Sequence, residues 1–181
     1  GDIGSLRIGA SSSIATYLLP GILKKFRQTR PRIHVYLSTG QTEDIIEGML
    51  SGETHIAITR LAQHPEGESI HLCNDDLTLV VAPGHPFSRK RSVTIAEAGR
   101  EPFLFFERGS SYHSLTYSMF LRAGVVPESA MELDSMETTK HMVEAGLGVA
   151  ILPVVSITRE RESGTLVPVD LRDMEQPAQR E

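Results

Sequence analysis

Apolar and polar positions in the first sixty residues alternate between two rhythms. Leu6-Arg7-Ile8-Gly9 repeats with period two and predicts a strand. Three hydroxyls follow, Ser11, Ser12 and Ser13. Then Leu18, Leu19, Ile22, Leu23 and Phe26 recur at helical spacing. The expected helix lies within 14–29, is broken or restarted at Pro20, and ends at Arg30-Pro31. Residues 33–37 predict a second strand and 38–42 a turn. A helix is expected over 43–50, with Thr42 as N-cap and Ile45, Ile46, Met49 and Leu50 as its apolar face. Gly52 then follows its end. Residues 55–59 predict a third strand.

A polar stretch with Pro65 and Gly67 reads as a loop over 61–70. A strongly apolar strand over 76–82 is stopped by Pro83-Gly84-His85-Pro86. That stop is the expected lobe boundary, giving lobes 1–81 and 82–181. The second lobe repeats the first one's order. A strand over 103–106 runs into the turn Glu107-Arg108-Gly109-Ser110-Ser111. A helix follows over 112–123, with Leu115, Met119, Phe120 and Ala123 on one side and Gly124 and Pro127 after it. Next come a strand at 131–133, a helix capped by Ser135 and ended by Gly146, and a strand at 149–152. Further on, 154–161 reads as a short helix and 166–169 as a strand placed at an edge by Pro168. The polar residues 174–181 read as a frayed tail. The fold class is therefore α/β: two βαβαβ lobes whose parallel strands are joined by right-handed crossovers. Such sheets bind ligands beyond the carboxyl ends of their strands.

Composition removes several classes of function. Of 181 residues, 40% are apolar and 23% charged, and the net charge is −5. Cys73 is the single cysteine, which excludes an internal disulfide. No apolar run approaches the ~20 residues of a membrane helix. An acidic chain whose one basic cluster is Arg89-Lys90-Arg91 does not read as a nucleic-acid binder by itself. His34, His55, His64, His71, His85, His113 and His141 show no metal-ligand spacing, so no metal or other cofactor is expected. His113, just after a serine turn, is the one worth testing as a cleft residue. No serine or histidine sits in a recognisable nucleophile motif, and an enzyme is not expected.

The candidate chemistry therefore lies in the strand-end turns. Ser11, Ser12 and Ser13 either cap a helix alone or cap it and also contact an anionic ligand, and the second reading is preferred. No acidic residue follows in the first helical turn, so its positive end stays available. Gly40, Gln41 and Thr42 precede Glu43 and Asp44, which already compensate the next helix dipole, so neutral hydrogen bonding suits them better. Arg60, beside Thr59 at a strand end, has the fork geometry for a carboxylate, with a solvated loop arginine as the alternative. Arg108, Gly109, Ser110 and Ser111 offer the same chemistry in the second lobe. Ser135 and Met136 stand where Gln41 and Thr42 stand in the first, with Ser135 a cap first and a ligand contact second.

The sequence resembles the effector-binding domain of LysR-type transcriptional regulators. The resemblance is carried by Gly4-Ser5-Leu6-Arg7-Ile8-Gly9, by Leu18-Leu19-Pro20-Gly21-Ile22-Leu23-Lys24-Lys25-Phe26 closing on Pro31, and by Gly52-Glu53-Thr54-His55-Ile56-Ala57-Ile58. Leu79-Val80-Val81-Ala82-Pro83-Gly84-His85-Pro86 and Val143-Glu144-Ala145-Gly146-Leu147-Gly148-Val149-Ala150-Ile151-Leu152-Pro153 continue it. It implies two Rossmann-like lobes of the periplasmic-binding-protein type II kind, joined by a hinge, with a small effector in the cleft between them. It also implies a cytoplasmic regulator acting as a homodimer or homotetramer, without membrane partners. DNA would be bound only through an N-terminal winged helix-turn-helix that these residues do not contain. The resemblance also implies a last strand that returns to the first lobe, and residues 1–181 do not supply it. A solute-binding protein of a transport system is the alternative with the same fold.

Overall fold

The computed structural model describes residues 3–60, 65 and 67–174. The chain forms two compact units, 1–74 and 75–181. In the first, strands β1 (Gly4–Ser11), β2 (Ile33–Gly40) and β3 (Ile56–Ile58) make a parallel sheet in the order β2-β1-β3. A π-helical turn over Ile14–Leu18 leads directly into helix α1 (Leu19–Thr29), whose first turn contains Pro20. Having no N–H to return to the preceding turn, Pro20 sits where the π-turn passes into α1. Helix α2 spans Thr42–Leu50. Ile8, Ala10 and Leu19 are the buried centre, with Leu6, Ile14, Ala15, Leu23, Val35 and Ile58 packed around them. Helix α2 presses against β1 at Gly9, where a Cβ would lie 3.2 Å from Ile45 Cγ2.

Three local expectations change. Ser11 is the last residue of β1, paired with Gly40, and the chain is already helical at Ser12. The serines therefore do not form a capping turn: Ser13 has helical φ and ψ and its side chain caps nothing. Strand β2 continues to Gly40 because β1 pairs with it that far, so the expected turn over 38–42 shrinks to Gln41. Gln41, with extended backbone, is the N-cap of α2, and Thr42 is its first helical residue. Half of the expected 61–70 loop (61–64 and 66) and all but the first residue of the 174–181 tail lie outside the described residues. Residues 3–42 hold six Lys or Arg and no Asp or Glu. Lys24, Lys25, Arg27, Arg30 and Arg32 among them are exposed, on α1 and just before β2.

The second unit contains β4 (Leu77–Val81), β5 (Ser92–Val93), α3 (Ile95–Ala98), β6 (Phe103–Phe106), α4 (Ser111–Arg122) and β7 (Ser129–Leu133). Helix α5 (Met136–Glu144), β8 (Ala150–Pro153), α6 (Thr158–Ser163) and β9 (Val167–Leu171) complete it, with 3-10 turns over Pro86–Arg89 and Val154–Ile157. Strands β6 and β7 are parallel, and a parallel bridge from Phe103 to Val149 sets β8 on the other side of β6. The run β6-α4-β7-α5-β8 therefore repeats β1-α1-β2-α2-β3 with the same strand order. The core here is larger, and includes Leu79, Val80, Val81, Phe103, Leu104, Phe120, Ile151 and Leu152.

Strand β4 pairs antiparallel with β8 and β9, so it belongs to the second unit, and the division falls at Asn74/Asp75 rather than at 81/82. Its apolar run is explained by that central place: all five residues are buried. Strand β9 is not an edge either, because it lies between β5 and β4. Proline is tolerated because β5 reaches only Asp170 and Leu171, leaving Pro168 without a neighbour on that side. In the Arg89-Lys90-Arg91 run, Lys90 pairs with Glu97 at 3.1 Å and lies 4.8 Å from the centre of the Phe87 ring. The elements β5 and α3 have no counterpart in the expected pattern.

Candidate functional site

In the first unit the three parallel strands end level with one another. Ser11 is opposite Gly40, and Ala10 is opposite Ile58, which brings Ser11, Gly40 and Thr59 to one sheet edge. Gln41 and Thr42 follow Gly40 directly, and Arg60 follows Thr59 at a bend. Thr59 and Arg60 are half-buried, and Arg60 already interacts within the chain. The hydroxyl of Ser11 is buried and has no hydrogen-bond partner. A hydroxyl left in that state costs about 1–3 kcal/mol, so it marks a place where a donor or acceptor from outside the chain would be stabilising. The π-turn that follows has no acidic residue in its first turn and no side-chain cap, so its leading N–H groups and dipole are uncompensated. Helix α2 differs: Glu43 and Asp44 occupy its first turn.

In the second unit Phe106 is opposite Leu133, and the turn 107–110 leaves from that level. Ser110 and Ser135 are N-caps: Ser110 Oγ accepts from the Tyr112 N–H at 3.2 Å, and Ser135 Oγ from the Thr138 N–H at 3.3 Å. Each hydroxyl still has its proton to donate. Ser111 opens α4, Met136 opens α5, and Gly109 leaves open space where a side chain would be. Arg108 is exposed, and its Nε lies 3.3 Å from Glu132 Oε1. In the second unit the strand ends thus collect Arg108, Gly109, Ser110, Ser111, Ser135 and Met136. In the first, the ends of a separate sheet collect Ser11, Ser12, Ser13, Gly40, Gln41, Thr42, Thr59 and Arg60.

His113 is engaged in an aromatic stack, with its ring 5.7 Å from Tyr117 and nearly parallel to it, and 5.5 Å from Phe105. Among the described residues no three His, Cys, Asp or Glu side chains cluster as metal ligands, and no helix is long and apolar enough to cross a membrane. Tyr112 was not legible as a site neighbour. Its hydroxyl donates to Asp75 Oδ2 at 2.9 Å, across 37 positions of sequence, and the sequence signals that only by a tyrosine inside a helix's first turn.

The model of the LysR substrate binding domain matches residues 1–180. The chain belongs to this family. Its relatives include the hydrogen peroxide-inducible genes activator of Pectobacterium carotovorum subsp. carotovorum, 29% identical over 160 residues, 88% of this chain and 53% of that protein. This LysR domain spans about half the length of the curated relatives it matches. Among solved structures, the Synechocystis PCC6803 CcmR regulatory domain in complex with 2-PG matches with a TM-score of 0.80 and 25% identity, covering 94% of this chain and 82% of that one. The BenM effector binding domain with its effector benzoate matches with a TM-score of 0.81 at 22% identity, covering 98% and 87%. The fold is thus the α/β fold of LysR effector-binding domains. The relatives are transcriptional regulators, and none of these matches supports the transport alternative.

Proposed function

We propose that this LysR domain is the sensing part of a transcriptional regulator and that it takes a small carboxylate at its strand-end turns. The observation that carries the reading is the buried, unpartnered Ser11 hydroxyl at the carboxyl edge of a parallel sheet, beside an uncompensated helical N-terminus. In this reading Ser11, Ser12 and Ser13 donate to the carboxylate, from hydroxyl and backbone N–H groups. Gly40 lets the ligand approach the backbone, and Gln41, Thr42 and Thr59 bind its neutral groups. Arg60 and Arg108 supply positive charge, with Arg108 exchanging Glu132 for the ligand. Gly109, Ser110, Ser111, Ser135 and Met136 line the corresponding edge of the second unit. Benzoate, the effector of the like-folded BenM domain, is a carboxylate, which agrees with this choice.

The whole protein then works by population shift: an effector that binds one arrangement of the regulator better than another biases it by that difference in affinity. DNA contact belongs to a winged helix-turn-helix elsewhere in that protein, which acts in the cytoplasm as a homodimer or homotetramer. Exposed parts of α1 and α4 are the proposed contacts between copies.

A thermal-shift screen of small carboxylates, beginning with benzoate, tests the reading. A ligand at 100 times its Kd adds about 2.7 kcal/mol, or roughly 5–10 °C in Tm for a domain of this size. If saturating carboxylates leave Tm unchanged while neutral metabolites raise it, the carboxylate reading fails. If nothing raises it, the sensing role fails with it.

A further inference from the structure

We infer that Tyr112 is a positioning residue that ties the Ser110-Ser111 turn to the junction between the two units. The inference rests on the sensing function proposed above only for what occupies that turn. The junction lies at Asn74/Asp75. Tyr112 meets it directly, its hydroxyl donating to Asp75 Oδ2 at 2.9 Å. The same residue is joined through its backbone to the turn, since its N–H donates to Ser110 Oγ at 3.2 Å. One residue thus holds the candidate ligand hydroxyl at one end and the first residue of the second unit at the other.

The link is stiff. Tyr112 is only 8% exposed, and its ring packs against Phe106 with centroids 5.5 Å apart. The Thr116 hydroxyl donates to the Tyr112 carbonyl at 2.8 Å, which fixes the turn of α4 that carries it. The phenol and the backbone N–H that meets Ser110 Oγ are therefore held by the same packing. Next to Asp75, the Asp76 carbonyl accepts the Val154 N–H at 2.8 Å, so the chain entering β4 is pinned to β8 while Asp75 is held from α4. A ligand that draws on Ser110 acts first on the residue where one unit becomes the other.

The protein carries its own reporter. Cys73 is the single cysteine, is exposed, and stands two residues before Asp75. A nitroxide attached to Cys73 reads the mobility of the junction without any ligand. Tyr112→Phe and Asp75→Ala each remove the hydrogen bond and are expected to raise the mobile fraction of the label several-fold. Ser110→Ala is expected to shift it in the same direction by less. Tyr117→Phe, on the same helix, is expected to leave it unchanged. Thermal unfolding of each variant separates a local release from general loosening. If Tyr112→Phe and Asp75→Ala fold with normal Tm and leave the label's spectrum unchanged, the link to the junction is wrong. If both respond and Ser110→Ala does not, the connection to the turn is wrong. Should one of the two variants fail to fold, the other still decides. These outcomes need no effector, so they stand apart from a failure of the carboxylate screen.

Discussion

At the scale of single residues, Ser11 carries a conflict between stability and binding. Its hydroxyl is buried without a partner, so Ser11→Ala removes a cost rather than an interaction. The expected result is a ligand-free Tm equal to or above that of the parent, together with at least tenfold weaker binding of the carboxylate found in the screen. Calorimetry on both proteins checks both halves. Lys140 is the opposite case. It is 3% exposed, and its ammonium donates to the Ser156 carbonyl at 3.0 Å, Glu160 Oε1 at 2.6 Å and Glu137 Oε1 at 2.8 Å. Lys140→Met strands Glu160, whose Oε2 is already buried without a partner. The expected loss is about 3–5 kcal/mol, and adding Glu160→Leu should restore much of it. Urea unfolding of the single and double variants measures this. Glu97 sets an acid limit. The Thr94 N–H donating to its carboxylate, then Lys90, lowers its pKa from 4.5 to about 2. A folded pKa below the unfolded one gives stability that is complete above about pH 4.5 and is lost as pH falls toward 2. Carboxyl NMR titration should find Glu97 still ionised at pH 3, and Glu97→Gln should flatten the stability profile between pH 4.5 and 2.

At the scale of elements, periodicity identified what periodicity can see. Phe103–Phe106 was legible to the residue because four apolar positions are bounded by Pro102 and a polar turn. Strand β5 and helix α3, of two and four residues, are shorter than any repeat that would reveal them. The end of β1 was misjudged by its polar residues. Whether Ser11 continues a strand depends on Gly40, 29 positions away, accepting it as a pairing partner. The site's positions were therefore readable from the strand-to-helix order. The buried, unpartnered state of the Ser11 hydroxyl was not, and neither was the capping state of each serine, because burial and hydrogen bonding are set by neighbours distant in sequence. Gly148 gives an element-level prediction. A Cβ there would collide with the Pro102 carbonyl oxygen, which accepts the Val149 N–H at 2.9 Å. Gly148→Ala must push β8 from β6 and is expected to cost about 1–3 kcal/mol. Denaturant unfolding of that variant reads the effect.

At the scale of the molecule, the two units are unequal. The core of the second holds the buried strands β4, β6 and β8, whereas the first is centred on Ile8, Ala10 and Leu19. Local opening follows buried apolar packing. Native-state hydrogen exchange should therefore find amides of Leu79, Val80, Leu104 and Ile151 among the slowest and those of β2 exchanging well before them. If β2 protects as strongly as β4, the units unfold as one. The basic run before Glu43 has a consequence of another kind. A chain with net charge −5 and pI near 5.8 would be handled at the bench as an anion. Yet Lys24, Lys25, Arg27, Arg30 and Arg32 are exposed within nine consecutive positions, without a neighbouring carboxylate in the chain from Ile3 to Thr42. At low ionic strength the purified protein should be retained on a sulfonate resin at pH 7, above its isoelectric point, as well as on a quaternary amine. It should leave the sulfonate as soon as the screening length falls to ~10 Å, near 0.1 M salt.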